Sequence, residues 1–233
     1  MPNNQQIISP YVDVHTHKAY SNNEHIVGVQ SFMIGEAPAP EYQGMFSTGI
    51  HPWQLLAVDP NVLKPFFLEA IEKLQPHAIG EAGIDLSISA NLNKQRNLFI
   101  FQAAEAEKRQ LPLIIHAVRS YSELLGIRKK HRFSGRWIVH GYRGNSQTCR
   151  SLWEAGLFVS FGAALMYTAT SLEDAFDDCP LNQLFLETDT VQSPTIQTLY
   201  ARAASIKQIS EDELRNTIFA NFAGCFRIPF TEE

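Results

Sequence analysis

The chain has 233 residues, of which 45% are apolar or aromatic, and its formal net charge is −5. A chain of this length and apolar content can bury a large core, so we expect one globular domain spanning residues 1–233. The acidic balance argues against a general nucleic-acid coat protein, because such proteins need an excess of Lys and Arg to contact phosphates.

The N-terminal segment is polar, without a basic region followed by an apolar stretch, so the sequence predicts no signal peptide. No segment has the length and apolarity of a membrane span. Cys149, Cys179 and Cys225 are scattered and odd in number, which favours free thiols. We therefore expect a cytoplasmic protein, a monomer without membrane contact.

Short apolar runs alternate with longer amphipathic segments along the chain. The short runs are rich in β-branched and aromatic residues, and they predict strands at residues 11–17, 25–34, 45–51, 77–84, 113–117, 136–141, 157–162 and 183–188. The longer segments predict helices at residues 61–74, 94–109, 120–130, 146–155, 171–178, 195–207 and 212–225. Eight strands with intervening helices are typical of an α/β fold of the TIM-like (β/α)8 barrel type.

The first third of this predicted barrel lacks two crossover helices. Residues 18–24 are too few for a helix, and residues 36–44 contain Pro38 and Pro40, which resist one. Parallel strands normally need a crossover of about a dozen residues or more. Either the second strand runs antiparallel, or the early barrel is distorted.

Residues able to bind metal end five of the predicted strands. His15 and His17 share one face of the first strand, because side chains alternate along a strand. The fourth, fifth, sixth and eighth strands end in Glu81, His116, His140 and Asp189. The carboxyl ends of barrel strands form the active-site face, so we expect these six side chains to form one metal centre.

Four imidazoles and two carboxylates exceed the needs of one tetrahedral ion. The sequence therefore predicts two divalent ions, with zinc, manganese, magnesium and nickel left open. Glu81 lies on the strand roughly opposite the first in order and is the natural bridge between them. Two bridged ions can activate water and stabilise the leaving oxygen of a phosphodiester.

Motifs along nearly the whole chain resemble the TatD family of metal-dependent deoxyribonucleases, in that family's order. They are His15-Thr16-His17, Gly49-Ile50-His51-Pro52, Ile79-Gly80-Glu81-Ala82-Gly83-Ile84-Asp85, Leu111-Pro112-Leu113-Ile114-Ile115-His116 and Leu186-Glu187-Thr188-Asp189. Gln95, Phe99 and Gln102 resemble the family's Gln-x-x-x-Phe-x-x-Gln helix, and Asn216-Thr217 with Phe226 resembles its C-terminal motif.

The resemblance implies a TIM-like barrel with two divalent ions that hydrolyses DNA phosphodiesters, as a 3′-exonuclease acting on single-stranded ends. One ion is implied at His15, His17 and Asp189, and a second at His116 and His140, with Glu81 bridging. Asp189 is further implied to orient or deprotonate the attacking water. Glu81 and Asp189 are thus the expected catalytic residues.

The rim of the site departs from the family pattern. Lys18-Ala19 follows the first motif where Leu-Asp is usual, and the run at 141–144 is Gly-Tyr-Arg-Gly where Cys-Phe-Ser-Gly is usual. Val118 stands where an Arg is expected, with Arg119 one position later, and the loop after Asp189 is short. None of these changes removes a ligand, but all of them touch the part of the site that selects substrate.

Four rim residues are expected to bind substrate, namely His51, Arg119, Tyr142 and Arg143. Arginine makes forked contacts with phosphate oxygens, and Arg143 lies on a glycine-flanked loop just past a ligand. Trp53 is expected either to stack on a base or to pack beneath its loop. Glu187 faces the same way as Asp189, and it either bonds a ligand histidine, pairs with an Arg, or is a satisfied interior carboxylate.

Two other functions stay open from the sequence. A hydrolase of a small phosphoester, lactone or amide would use the same centre. The protein could also be a non-catalytic metal-binding or protein-interaction module with the same barrel fold. The complete set of predicted metal ligands argues against this alternative.

Overall fold

The computed structural model describes residues 9–20, 25–167 and 171–228. One eight-stranded sheet, parallel throughout, runs in sequence order from the first strand to the last. Its strands are β1 (Tyr11–Thr16), β2 (Ile26–Met33), β3 (Met45–Gly49), β4 (Ala78–Asp85), β5 (Leu113–Val118), β6 (Trp137–Val139), β7 (Phe158–Phe161) and β8 (Leu184–Leu186). A bridge between Thr16 and Asp189 joins the last strand to the first, so the barrel is nearly closed.

Helices cover the outside of the barrel from β3 onward. They are α1 (Pro60–Leu74), α2 (Leu92–Arg109), α3 (Tyr121–His131), α4 (Ser146–Glu154), α5 (Ser171–Asp178), α6 (Ile196–Lys207) and α7 (Glu211–Phe226). A short 3₁₀ helix, Pro52–Leu56, follows β3. The predicted strands and helices are present with ends shifted by a few residues, and the prediction of a TIM-like barrel is confirmed.

The second strand settles the question that the sequence left open. β2 pairs in parallel with both β1 and β3, so the antiparallel alternative is wrong. Eleven residues lie between Met33 and Met45. Fully extended, they can span about 36 Å, which exceeds the roughly 26 Å length of an eight-residue strand. An extended return therefore replaces a crossover helix, and the distortion appears as a register shift between Asp13 and Thr16.

Close approach of β4 to β5 brings two site residues together. A Cβ on Gly83 would lie 2.0 Å from the carbonyl oxygen of His116, so only glycine fits there. Gly80 has a φ of +154°, and its Cβ would lie 2.7 Å from Ile114. The pairing register shifts between Ile79 and Ala82, around the position of Glu81. These glycines let the two strands approach closely at the level of Glu81 and His116.

Within the part of the chain described, no helix has both the length and the apolar character needed to cross a membrane. Cys149, Cys179 and Cys225 are free, as the sequence predicts, and all three are buried.

Candidate metal centre

The structure brings the six predicted ligands together at the carboxyl end of the barrel. Closure of the barrel places three of them, because the Asp189 N–H donates to the His15 carbonyl at 3.0 Å and the His17 N–H donates to the Asp189 carbonyl at 3.1 Å. The Nε2 atoms of His15 and His17 lie 3.7 and 3.6 Å from Asp189 Oδ1. One ion can therefore be shared by these three side chains, whose ligand atoms form one cluster.

Glu81 lies between two groups of histidines and turns one carboxylate oxygen toward each. Its Oε1 is 3.6 Å from His15 Nε2 and 3.3 Å from His17 Nε2. Its Oε2 is 3.5 Å from His116 Nδ1 and 2.8 Å from His140 Nε2. This is the geometry of a carboxylate able to bridge two ions.

Acidic side chains behind the second histidine pair orient both rings. His140 Nδ1 lies 3.4 Å from Glu187 Oε1, which also accepts a 2.7 Å bond from the Gly141 N–H. His116 Nε2 lies 3.4 Å from Asp85 Oδ2. Donation to these carboxylates leaves His140 Nε2 and His116 Nδ1 as the free ligand atoms, both facing Glu81. A carboxylate behind a ligand histidine fixes its tautomer and raises its basicity.

The charges of the centre favour an ionised carboxylate pair. Burial opposes the charged form of Glu81, but His15 and His140 outweigh burial and hold its pKa well below the usual range. Burial likewise opposes the charge of Asp189, and the His15 imidazole 3.7 Å away brings its pKa below the usual value. For His140, burial disfavours the cation, yet the Glu81 and Glu187 carboxylates raise its pKa well above normal.

The residues fit a bound metal. Both ring nitrogens of His15 are buried and have no hydrogen-bond partner among the described residues, and the buried His140 Nε2 faces Glu81 Oε2 at 2.8 Å. Buried polar atoms normally have partners, and an unpaired one costs free energy. Imidazole nitrogens aimed at a buried carboxylate are a donor set suited to zinc, nickel, manganese or iron. The metal assignment of the six residues stays a prediction.

His51 lies beside this centre with a different hydrogen-bond pattern. Its Nε2 is 3.8 Å from Glu81 Oε2, close enough to join a cluster with Glu81 and His116. Its Nδ1, however, accepts a 3.2 Å bond from the Trp53 N–H. Burial lowers the pKa of His51 to about 4, so the ring is neutral and carries its hydrogen on Nε2. Because Nδ1 already accepts a hydrogen bond, we expect His51 to donate toward the site from Nε2 and not to bind metal.

Two supporting carboxylates were not singled out from the sequence. Asp85 ends the motif at residues 79–85 and Asp13 lies in the predicted first strand, but the sequence predicts no role for either. Asp13 is buried, and it accepts bonds from the Thr188 N–H at 2.9 Å, the Thr188 hydroxyl at 2.6 Å and the Tyr20 hydroxyl at 2.6 Å. Burial raises the pKa of Asp13 to about 6. It ties β1 to the residue preceding Asp189. The spacing Asp13-x-His15-x-His17 was the available signal.

The predicted substrate residues separate into two kinds. Arg119 and Arg143 are exposed and line a cleft of about 450 Å³ with His116, His140 and Asp189. Tyr142 is only 1% exposed, and its hydroxyl donates to the Asn145 carbonyl at 2.7 Å. The expected substrate contact of Tyr142 is thus corrected, since its side chain packs beneath the loop that carries Arg143.

Comparison with known proteins places these features in one family. The sequence matches the family described as TatD related DNase over residues 29–227. It is 25% identical over 210 residues to the uncharacterized metal-dependent hydrolase YjjV of Escherichia coli K12, covering 83% of this chain and 81% of that one. It is 24% identical over 248 residues to the uncharacterized metal-dependent hydrolase MJ1582 of Methanocaldococcus jannaschii, covering 93% and 97% of the two chains.

Solved structures share the fold. The crystal structure of the TatD homolog YjjV from Escherichia coli superposes with a TM-score of 0.80 at 21% identity, covering 94% of this chain and 98% of that one. A TatD family hydrolase from Entamoeba histolytica superposes with a TM-score of 0.74 at 14% identity, covering 94% and 98%. At these identities the likeness concerns the fold alone.

Proposed function

Because the chain belongs to the TatD-related DNase family, we propose that it is a divalent-metal-dependent hydrolase that cleaves DNA phosphodiesters from single-stranded 3′ ends. The observation that carries the proposal is Glu81, whose two carboxylate oxygens face two separate groups of histidines. When two divalent ions are bound, such a centre supplies an activated water and neutralises charge on the phosphate oxygens.

Side chains of the chain itself place and deprotonate the nucleophile. Asp189 is ionised, since its pKa is lowered. About a third of its side chain is exposed at the mouth of the barrel. It is therefore positioned to hold the attacking water and accept its proton, as a general base must be within hydrogen-bond reach. The Nε2–H of His51 faces the same space and is available to donate to a phosphate oxygen.

Arg119 and Arg143 supply the positive charge for substrate on the β5–β6 side of the centre. Arg119 has a φ of +56°, at the turn that follows β5. Arg143 lies two residues after Gly141, which has a φ of +58°. Both arginines line the cleft that also contains His116, His140 and Asp189. Their guanidinium groups would bind the phosphates next to the scissile bond, because they match phosphate geometry.

A substrate panel tests the proposed function. Metal-reconstituted protein would be assayed on single-stranded DNA, double-stranded DNA, RNA and a generic phosphodiester. We expect single-stranded DNA to be shortened stepwise from its 3′ end. Turnover of the generic ester alone would instead identify a small-substrate hydrolase, and turnover of no substrate would favour a non-catalytic module.

The same assay measures the contribution of Arg143. Arg143→Ala is expected to raise KM for single-stranded DNA about tenfold, because a charge-assisted hydrogen bond contributes about 1.5 kcal/mol. A plot of the logarithm of the binding constant against the logarithm of the salt concentration has a negative slope. We expect that slope to become shallower by about 0.7, the effect of one lost phosphate contact on a single strand. Arg132→Ala, an exposed arginine just after α3, is the matched control. Equal KM values in the two variants would remove Arg143 from the substrate site.

A further inference from the structure

Trp53 is an exposed aromatic residue beside the candidate metal centre; it follows β3, whereas the two arginines of the cleft follow β5 and β6. It belongs to the 3₁₀ helix after β3 and is 55% exposed. Its ring centroid is 4.9 Å from that of His51 and 6.1 Å from that of the predicted ligand His116. His116 also lines the cleft that contains Arg119 and Arg143.

One hydrogen bond fixes the backbone of Trp53, and another fixes its indole ring. Its Nε1–H donates to Asp85 Oδ2 at 2.8 Å, and the Trp53 N–H donates to His51 Nδ1 at 3.2 Å. The short helix is itself fixed, because the Gln54 side chain accepts from the His51 N–H and donates to the Ile34 carbonyl. A ring whose only polar atom is already bonded presents an apolar surface, and its fixed position lowers the entropy lost when a ligand stacks on it.

This arrangement distinguishes Trp53 from the other tryptophans and from exposed aromatic residues elsewhere. Trp137 is buried in the core and Trp153 is partly buried. Phe66 is 60% exposed on α1. Its ring has no contact with the metal-ligand cluster among the described residues. Among the aromatic residues that the structure describes, Trp53 alone combines high exposure with a hydrogen bond to the carboxylate that orients His116.

We propose that Trp53 is a stacking platform for a nucleobase next to the scissile phosphate, so that a single strand crosses the mouth of the barrel from the arginine cleft to Trp53. The proposal rests on the proposed function and specifies how that site recognises its substrate. Stacking needs no base-specific hydrogen bond, so the platform would accept any of the four bases. Duplex DNA would be disfavoured, because its bases are already stacked on one another.

The test compares two single-stranded DNA octanucleotides, one complete and one lacking the bases of its last two 3′ nucleotides. Binding is measured by fluorescence anisotropy and cleavage by product analysis, with metal-loaded protein. We expect the complete strand to bind about 5- to 140-fold more tightly, the range for stacking on one aromatic side chain. Indole fluorescence should be quenched on binding, since Trp53 is the most exposed tryptophan.

Three variants separate stacking from other roles. Trp53→Ala should remove the preference for the complete strand, so that both strands bind with the same affinity. Trp53→Phe should retain much of the preference, although it loses the bond to Asp85. Phe66→Ala, the control, should behave as the wild type. Retention of the full preference in Trp53→Ala, with a fall in kcat on both strands in both Trp53 variants, would overturn stacking and make Trp53 a positioning residue for His116.

The outcomes also separate this proposal from the proposed function. Preference for the complete strand without cleavage would support the platform and overturn the nuclease. Cleavage with equal affinity for both strands would support the nuclease and overturn the platform. Failure to bind either strand would overturn both.

Discussion

Asp189→Asn is expected to lower kcat for single-stranded DNA by about 10²–10⁴-fold, the contribution of a positioned general base. The amide keeps the size of the side chain and one oxygen for His15 and His17, but it does not accept a proton from water. Metal content should therefore fall little in comparison with kcat. The measurements are single-turnover cleavage and metal analysis of the purified variant.

Glu81→Ala is expected to lose metal as well as activity, in contrast to Asp189→Asn. It removes the oxygens that face both histidine groups, so metal content and activity should be lost together. Asp174→Asn, an exposed aspartate on α5, is the control for the loss of one negative charge. Wild-type cleavage by Asp189→Asn with full metal content would show that another group deprotonates the water.

The part of the site that the sequence predicts follows from the direction of the strands. All strands of a parallel barrel point the same way, so residues that end separate strands meet on one face. This rule brings Glu81, His116, His140 and Asp189 together although they are far apart in the chain. Local alternation adds His15 and His17. Knowledge of side-chain packing is not needed for this step.

The supporting contacts depend on packing and are therefore less accessible from the sequence. Asp85 reaches His116 only because β4 and β5 approach closely at Gly83. Glu187 faces His140 across β7, and the sequence left this contact among three alternatives. Tyr142 follows a ligand on a glycine-flanked loop, which suggests a rim residue. Its ring instead packs against Phe161 of β7, with ring centroids 5.5 Å apart.

Metal addition is expected to raise the melting temperature of the chelator-treated protein by roughly 8–16 °C. An ion present at about 1,000 times its Kd stabilises the folded state by about 4 kcal/mol, provided that it does not bind the unfolded chain. For a chain of this size each kcal/mol raises Tm by roughly 2–4 °C. The physical reason is the pair of buried, unpartnered ring nitrogens on His15, one of which faces Glu81. Differential scanning calorimetry with and without added ion gives the shift without any assay of activity.

Glu187→Gln should reduce this stabilisation, because a carboxylate behind a ligand histidine contributes about 10- to 100-fold in metal affinity. At fixed ion concentration that loss is about 1.4–2.8 kcal/mol, so the Tm shift should shrink by roughly 3–11 °C. Glu69→Gln, an exposed glutamate on α1, controls for the change of charge. Comparing metal-induced shifts cancels any effect of either substitution on the metal-free protein.

A full shift in Glu187→Gln would mean that His140 does not depend on Glu187 for its orientation. A missing shift in the wild type would mean that the buried histidines do not bind the added ion.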